Sequence, residues 1–287
     1  MARRIIPINC NINHKVDDVM YIINIQNQIL NGTEEEYVIL FDKCKFLDAA
    51  VSVLIGTLPI YSTQLGKRVR ISFSNKDSPV FEFIRSVGMY EFFYNNKKLI
   101  SYVKPRALPF GKILDDDMME IYTDKIIELA PIKMNDKASA ILSSYFYEIY
   151  QNSFSHAKSS IGVFSCGYWM KDHLVFSIYD MGMGIPQNVR EHIDNTLSSR
   201  ECVEWAFEKG NTTLDETIIK RGLGLSQLEK FIQLNNGYMA MYTDDVYYLI
   251  NNDKKEIHVL SAPIKGTLFI IRIKADDQHI YVVNGER

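Results

Sequence analysis

Residues 174–184 run Leu-Val-Phe-Ser-Ile-Tyr-Asp-Met-Gly-Met-Gly, and this stretch decides how the second half of the chain is interpreted. The apolar run before Asp180 is typical of a buried strand. Gly182 and Gly184 then form a Gly-x-Gly turn, which lets the backbone approach a ligand closely, while a carboxylate at a strand end can accept a hydrogen bond. The turn is not a dinucleotide-binding fingerprint, because Gln187 stands where a third glycine would fall.

A long helix is predicted upstream of this strand, over residues 136–157. Glu148 and Asn152 are four residues apart on it and therefore share one face. A carboxylate can accept a proton, and a carboxamide oxygen is a hard ligand suited to Mg²⁺. The pair by itself fits a catalytic face and a solvated stripe equally well.

Two more glycine motifs follow downstream. Gly222-x-Gly224-Leu225 opens a predicted helix, where free backbone N–H groups form a natural phosphate site. Gly266-Thr267 precedes the last predicted core strand, where a hydroxyl can reach a ligand or satisfy the backbone. Each motif alone is more often an ordinary turn.

In this order, the four motifs resemble the nucleotide-binding boxes of the GHKL ATPases, the family of gyrase, the large heat-shock chaperone, histidine kinases and mismatch-repair ATPases. The resemblance spans about residues 135–273. It implies an ATP-binding α/β sandwich with helices on one face of a mixed, largely antiparallel sheet, and it implies ATP and Mg²⁺ as cofactors.

The resemblance also implies a role for each motif. Asn152 would hold the Mg²⁺ that bridges the phosphates, and Glu148 would be the general base. Asp180 would accept a hydrogen bond from the adenine amino group. Residues 210–221 would form the ATP lid. The other predicted nucleotide contacts, on the base, the ribose and the phosphates, are Gly182, Gly184, Thr212, Thr213, Lys220, Arg221, Gly222, Gly224, Leu225 and Thr267.

The first third of the chain alternates predicted helices and strands, which indicates a small α/β layer. Its pattern resembles, more faintly, the STAS domain of anti-sigma factor antagonists. In the switchable antagonists a phosphorylatable serine directly follows the aspartate that corresponds to Asp48. Here Ala49 and Ala50 follow it, and Ser52 is out of register.

A change of composition divides the chain. Pro105, Pro109 and Gly111 are turn formers, and an aspartate-rich stretch follows them. We therefore predict a STAS-like domain over residues 1–104, a linker and connecting helix over residues 105–130, and a GHKL ATP-binding domain over residues 131–287.

The composition excludes several classes of protein. The chain has 287 residues, of which 47% are hydrophobic and 23% are charged, so disordered and fibrous classes do not fit. The net charge of −3 gives no bulk attraction to nucleic acid. No apolar run is long enough to span a bilayer. The four cysteines lie far apart and are expected to be buried free thiols, which predicts a cytoplasmic protein.

The expected function is that of an ATPase acting as a nucleotide-gated switch in a bacterial regulatory or defence system. Its partner would be another protein, such as a co-encoded one, or a second copy in a homodimer. One alternative is an anti-sigma-type serine/threonine kinase acting in trans, and another is a non-catalytic ATP-binding module. Only Lys274 to Arg287 follow the last predicted strand, so a DNA-acting relative is not expected.

Overall fold

Two sheets organise the part of the chain that the computed structural model describes, and this confirms the predicted α/β class. The described residues are 2–94, 105–131, 136–211, 213, 224–252 and 254–274. Among them, none of the helices combines the length and the hydrophobicity needed to cross a membrane.

The first sheet is parallel, with the strand order β1-β2-β3. Its strands are β1 (Arg3–Ile8), β2 (Glu36–Phe41) and β3 (Arg68–Phe73). Parallel strands need crossover connections, which are supplied here by α1 (Val16–Asn31) and α2 (Ala49–Gln64). These elements agree with the helix–strand alternation predicted for this region.

Local capping residues fix several helix starts. The Asp48 carboxylate accepts a hydrogen bond from the backbone N–H of Ala50 at the start of α2. The Ser78 hydroxyl accepts one from Phe81 at the start of α3 (Pro79–Ser86). A short helix, α4 (Met89–Tyr94), follows.

The second sheet is antiparallel throughout its described strands, with the order β4-β5-β6-β8-β7. Its strands are β4 (Ala107–Ile113), β5 (Val163–Trp169), β6 (His173–Asp180), β7 (Tyr238–Asn251) and β8 (Lys254–Lys274). The sequence places residues 107–113 in the linker, but they form the edge strand β4. Residues 105–130 are thus largely part of the second sheet and its helix layer.

Five helices accompany the second sheet. They are α5 (Asp116–Glu128), α6 (Asp136–Ala157), α7 (Ile185–His192), α8 (Ser199–Phe207) and α9 (Gly224–Leu234). The predicted connecting helix corresponds to α5, and the predicted long helix to α6.

Alternate residues of each strand point to opposite faces of the second sheet, and both faces are buried. On β6, Phe176 packs with the C-terminal helices, and its ring centroid lies 5.2 Å from that of Phe146 on α6. Val175 and Tyr179 belong instead to a core that they share with α1 and α2. The sequence does not predict this covering of the second face by the N-terminal helices.

The helix α2 lies between the two sheets. Every residue from Ala49 to Leu58 is buried, and the helix contacts both β3 and the strands β5 and β6. A helix that is apolar on all sides is typical of such a buried position. The two halves of the chain therefore share one hydrophobic core.

Three of the four cysteines are buried free thiols, as expected, but Cys10 is exposed. Burial raises the pKa of the Cys166 thiol to about 12. Its position beneath α2 makes Cys166 part of the core that joins the two halves.

Candidate functional site

The side chain of Asp180 lies at the end of β6 and is only 1% exposed. The backbone N–H of Gly182 donates to its Oδ1 atom over 2.9 Å. The backbone of Thr267 and the hydroxyl of Ser153 also lie close enough to this carboxyl to favour its charged form. Burial disfavours the charged form and raises the pKa of Asp180 to about 7, while these three groups partly offset that rise.

The contacts of Asp180 bring together three of the four motifs. Gly182 belongs to the glycine turn after β6, Thr267 lies opposite Asp180 on β8, and Ser153 is on α6, directly after Asn152. The sequence predicts a ligand-binding role for each of these regions, although Ser153 and Thr267 are 114 positions apart in the chain.

Glycine is required where these segments touch. At Gly266, φ is +83°, and a Cβ atom would lie 2.0 Å from the carbonyl oxygen of Asp180. At Gly182, a Cβ atom would lie 2.0 Å from the carbonyl oxygen of Ala157, at the end of α6. Since real Cβ atoms do not approach so closely, both positions exclude any larger residue.

Thr243 joins the two glycine turns, and the sequence analysis does not identify it. Its buried hydroxyl accepts a hydrogen bond from the N–H of Ile185 over 3.0 Å and donates one to the carbonyl of Gly266 over 3.3 Å. It also lies 3.2 Å from the hydroxyl of Thr267, its cross-strand partner. The register of β7 against β8 is what brings Thr243 here, and that register was not predicted.

The helix α6 is held against the turn after Asp180. The N–H of Met183 donates to the carbonyl of Ala157 over 2.8 Å, in addition to the contact between Ser153 and Asp180. Asn152 and Glu148 are both half-buried on this helix, with Glu148 one turn before Asn152. Both predicted residues therefore lie on the segment of α6 that leads to the Asp180 turn.

The structure describes only part of the predicted lid. The hydroxyl of Thr213 donates to the side-chain oxygen of Asn188 on α7 over 2.6 Å. Gly224 is the first residue of α9, and the half-buried Leu225 packs against the core beneath that helix. The predicted contacts Thr212, Lys220, Arg221 and Gly222 lie outside the described residues.

The oxygen donors on α6 have the chemistry that Mg²⁺ prefers. Magnesium is usually held through one or two side-chain oxygens, with phosphates and water completing its coordination shell. Within the described ranges there is no group of three or more His, Cys, Asp or Glu residues able to hold a metal ion. The carboxamide oxygen of Asn152 is a group of this kind, and it could serve as one such ligand.

Comparison with known proteins gives no assignment for this chain. No protein-family model matches it, and none of the curated proteins does.

Proposed function

We propose that this chain is an ATP-binding, Mg²⁺-dependent ATPase of the GHKL type that acts as a nucleotide-gated switch on a protein partner. The observation that carries the proposal is the convergence on Asp180. A single buried carboxyl accepts a hydrogen bond from the turn at Gly182 and lies close to Ser153 on α6 and Thr267 on β8, both of which favour its charged form.

The hydrogen-bonding capacity of Asp180 supports a role in binding adenine. A carboxylate offers about four lone-pair positions. The Gly182 N–H donates to one of the Asp180 oxygens, and Thr267 and Ser153 also favour its ionised form. A carboxylate in this position can also accept from an N–H donor such as the exocyclic amino group of adenine.

The residues on α6 support the phosphate end of the site. Asn152 directly precedes Ser153, whose hydroxyl reaches Asp180, so α6 runs past the proposed adenine position. In this proposal the Asn152 oxygen binds Mg²⁺, and the Glu148 carboxylate accepts a proton from the attacking water. The phosphate contacts predicted for residues 210–221, the proposed lid, fall mostly outside the described residues.

The position of Ser52 bears on the kinase alternative. Ser52 is completely buried in α2, and its hydroxyl donates to the carbonyl of Ala49 over 2.6 Å. It therefore lies beneath the face of the second sheet opposite to α6. If the site transfers phosphate to a hydroxyl, the acceptor is on another protein and not at this position of the same chain.

A comparison of ATP binding and phosphate release tests the proposal. Glu148→Gln should keep ATP affinity within about twofold of wild type and slow phosphate release at least about a hundredfold, because general-base catalysis is worth roughly 10²–10⁴ in rate. Glu204→Gln, an exposed change on α8, is the matched control and should leave both quantities unchanged.

Two results would contradict the proposal at different levels. Equal hydrolysis rates for the wild type and Glu148→Gln would remove Glu148 as the base. Failure of the wild type to bind any adenine nucleotide in the presence of Mg²⁺ would overturn the proposed function.

Labelled phosphate appearing on an added, co-encoded protein would favour the kinase alternative. Nucleotide-dependent assembly, followed by light scattering, would identify a second copy as the partner.

A further inference from the structure

Gln26 is a completely buried amide on α1, in the N-terminal third of the chain. It reaches the second sheet, where its Nε2 donates to the hydroxyl of Tyr179 over 2.7 Å. The Tyr179 hydroxyl in turn donates to the carbonyl of Lys265 over 2.7 Å, and the N–H of Lys265 donates back to Gln26 Oε1 over 3.4 Å. Gln26, Tyr179 and Lys265 thus form a closed hydrogen-bonded ring.

The ring is next to the candidate site on both strands that it touches. Tyr179 directly precedes Asp180 on β6, and Lys265 directly precedes Gly266 on β8. Because successive residues of a strand face opposite sides, the ring lies on the face covered by α1 and Asp180 lies on the face covered by α6.

The segment around Gly266 lies directly against the backbone of Asp180 and Gly182. A Cβ atom at Gly266 would lie 2.0 Å from the carbonyl oxygen of Asp180 and 2.8 Å from the N atom of Gly182. A shift of the Lys265 peptide therefore moves Gly266 into or away from the Asp180 backbone. A second tether from α1, in which the Asn27 side chain donates to the carbonyl of Pro263 over 2.8 Å, holds the same segment.

We propose that Gln26 is a positioning residue for the nucleotide site, through which the N-terminal unit holds the Lys265–Thr267 segment in the conformation that binds adenine. The inference rests on the proposed function, since it concerns the same site. It adds that adenine affinity depends on a residue of the N-terminal unit that touches neither the nucleotide nor Asp180.

The chemistry of the ring explains why Gln26 is suited to this role. The amide supplies one donor and one acceptor at the same time, so it fixes the Tyr179 hydroxyl and the Lys265 N–H together. An apolar residue at position 26 would leave the Tyr179 hydroxyl and the Lys265 N–H without their hydrogen-bond partner on α1. Because a buried polar group without a partner is unfavourable, we expect the segment to move until these groups find new partners.

The test is the affinity of the full-length chain for ATP and ADP, measured by calorimetry at a temperature where each variant is folded by circular dichroism. Gln26→Met and Tyr179→Phe should each weaken both nucleotides about tenfold, as expected for loss of a buried hydrogen bond. The double variant should be no weaker than the weaker single variant, because both changes open the same ring. Gln28→Met, an exposed change on the same helix, is the control.

The outcomes separate this inference from the proposed function. Wild-type affinity in Gln26→Met and Tyr179→Phe, with or without a lower melting temperature, would overturn the positioning role and leave the proposed function intact. Weaker binding of ATP alone, with ADP affinity unchanged, would also overturn the positioning role. The Lys265–Thr267 segment is proposed to act at the adenine end of the site, which ATP and ADP share. If the wild type binds neither nucleotide, both proposals fall. If Gln26→Met does not fold, Tyr179→Phe, which removes a single oxygen, decides the question.

Discussion

At the scale of single residues, the candidate site is centred on the carboxyl of Asp180, whose buried position disfavours the charged form. The carboxyl of Asp180 is buried, and burial moves its pKa to about 7, although three donors favour the ionised form. Carboxyl groups with such a shift are concentrated at functional sites. Burial is the largest cause of this shift, and Gly182, Thr267, Ser153 and the charge of Lys265 oppose it.

The raised pKa predicts how Asp180 affects stability as the pH changes. The folded state binds the proton more tightly than the unfolded state does, so the contribution of Asp180 to the free energy of unfolding falls as the pH rises from about 4 to about 7. Asp180→Asn removes this titration. The stability difference between wild type and Asp180→Asn should therefore change across this pH range, by up to about 4 kcal/mol, and level off above it.

Urea unfolding at half-unit pH steps measures this difference. Asp172→Asn is the matched control, because Asp172 is exposed and hydrogen bonds lower its pKa. A difference between wild type and Asp180→Asn that does not vary between pH 4 and pH 7 would show that Asp180 titrates normally.

At the scale of secondary-structure elements, α2 contributes most to joining the two halves. The sequence predicts its limits well, because Asp48 is a capping residue and Gly66, with φ of +70°, lies just after its end. The sequence does not predict what α2 packs against. A helix that is apolar on every side can enter any buried position, and only the tertiary fold places it between two sheets.

A glycine within α2 provides a test of this packing. Alanine is normally the better helix former by about 1 kcal/mol. At Gly56, however, a Cβ atom would lie 2.5 Å from the ring of Phe110 on β4 and 2.6 Å from the side chain of Met89. We expect Gly56→Ala to lower the free energy of unfolding by about 1–3 kcal/mol, which is typical of overpacking.

Two further variants show whether the loss of stability in Gly56→Ala comes from the contact of α2 with Phe110 in the second half of the chain. Thr63→Ala, at an exposed position of the same helix, should leave stability near that of the wild type. Adding Phe110→Leu to Gly56→Ala should recover part of the loss, because it removes ring atoms at the contact. Stabilisation by Gly56→Ala alone in chemical denaturation would contradict this packing.

At the scale of the whole molecule, the sequence predicts the elements better than their arrangement. The alternation predicted for the first third agrees with α1, α2, β2, β3 and α3, and the capping residues Asp48 and Ser78 mark the starts of α2 and α3. The strand β4 was predicted as linker because Pro109 and Gly111 are turn formers. In the fold, Pro109 lies in an edge strand at a register shift between Leu108 and Gly111, where a missing N–H is tolerated.

In the candidate site, too, the local motifs are predicted from the sequence and their long-range contacts are not. Asp180, Gly182, Gly266 and Thr267 were predicted from short local motifs, and the structure brings them together. Local sequence does not predict Thr243 or Gln26, because Thr243 reaches the two glycine turns, and Gln26 reaches Tyr179 and Lys265, only through long-range packing.

The most direct test of the proposed function is calorimetric titration of the full-length chain with Mg²⁺ and a non-hydrolysable ATP analogue. We predict one nucleotide bound per chain, loss of that binding in Asp180→Asn, and wild-type affinity in Asp172→Asn. The Asp180→Asn variant loses binding because an amide in place of the carboxylate presents donors to the N–H groups of Gly182 and Thr267 and disturbs the adenine acceptor. No binding by the wild type, or equal binding by Asp180→Asn, would contradict the proposal that this carboxyl forms the adenine end of an ATP site.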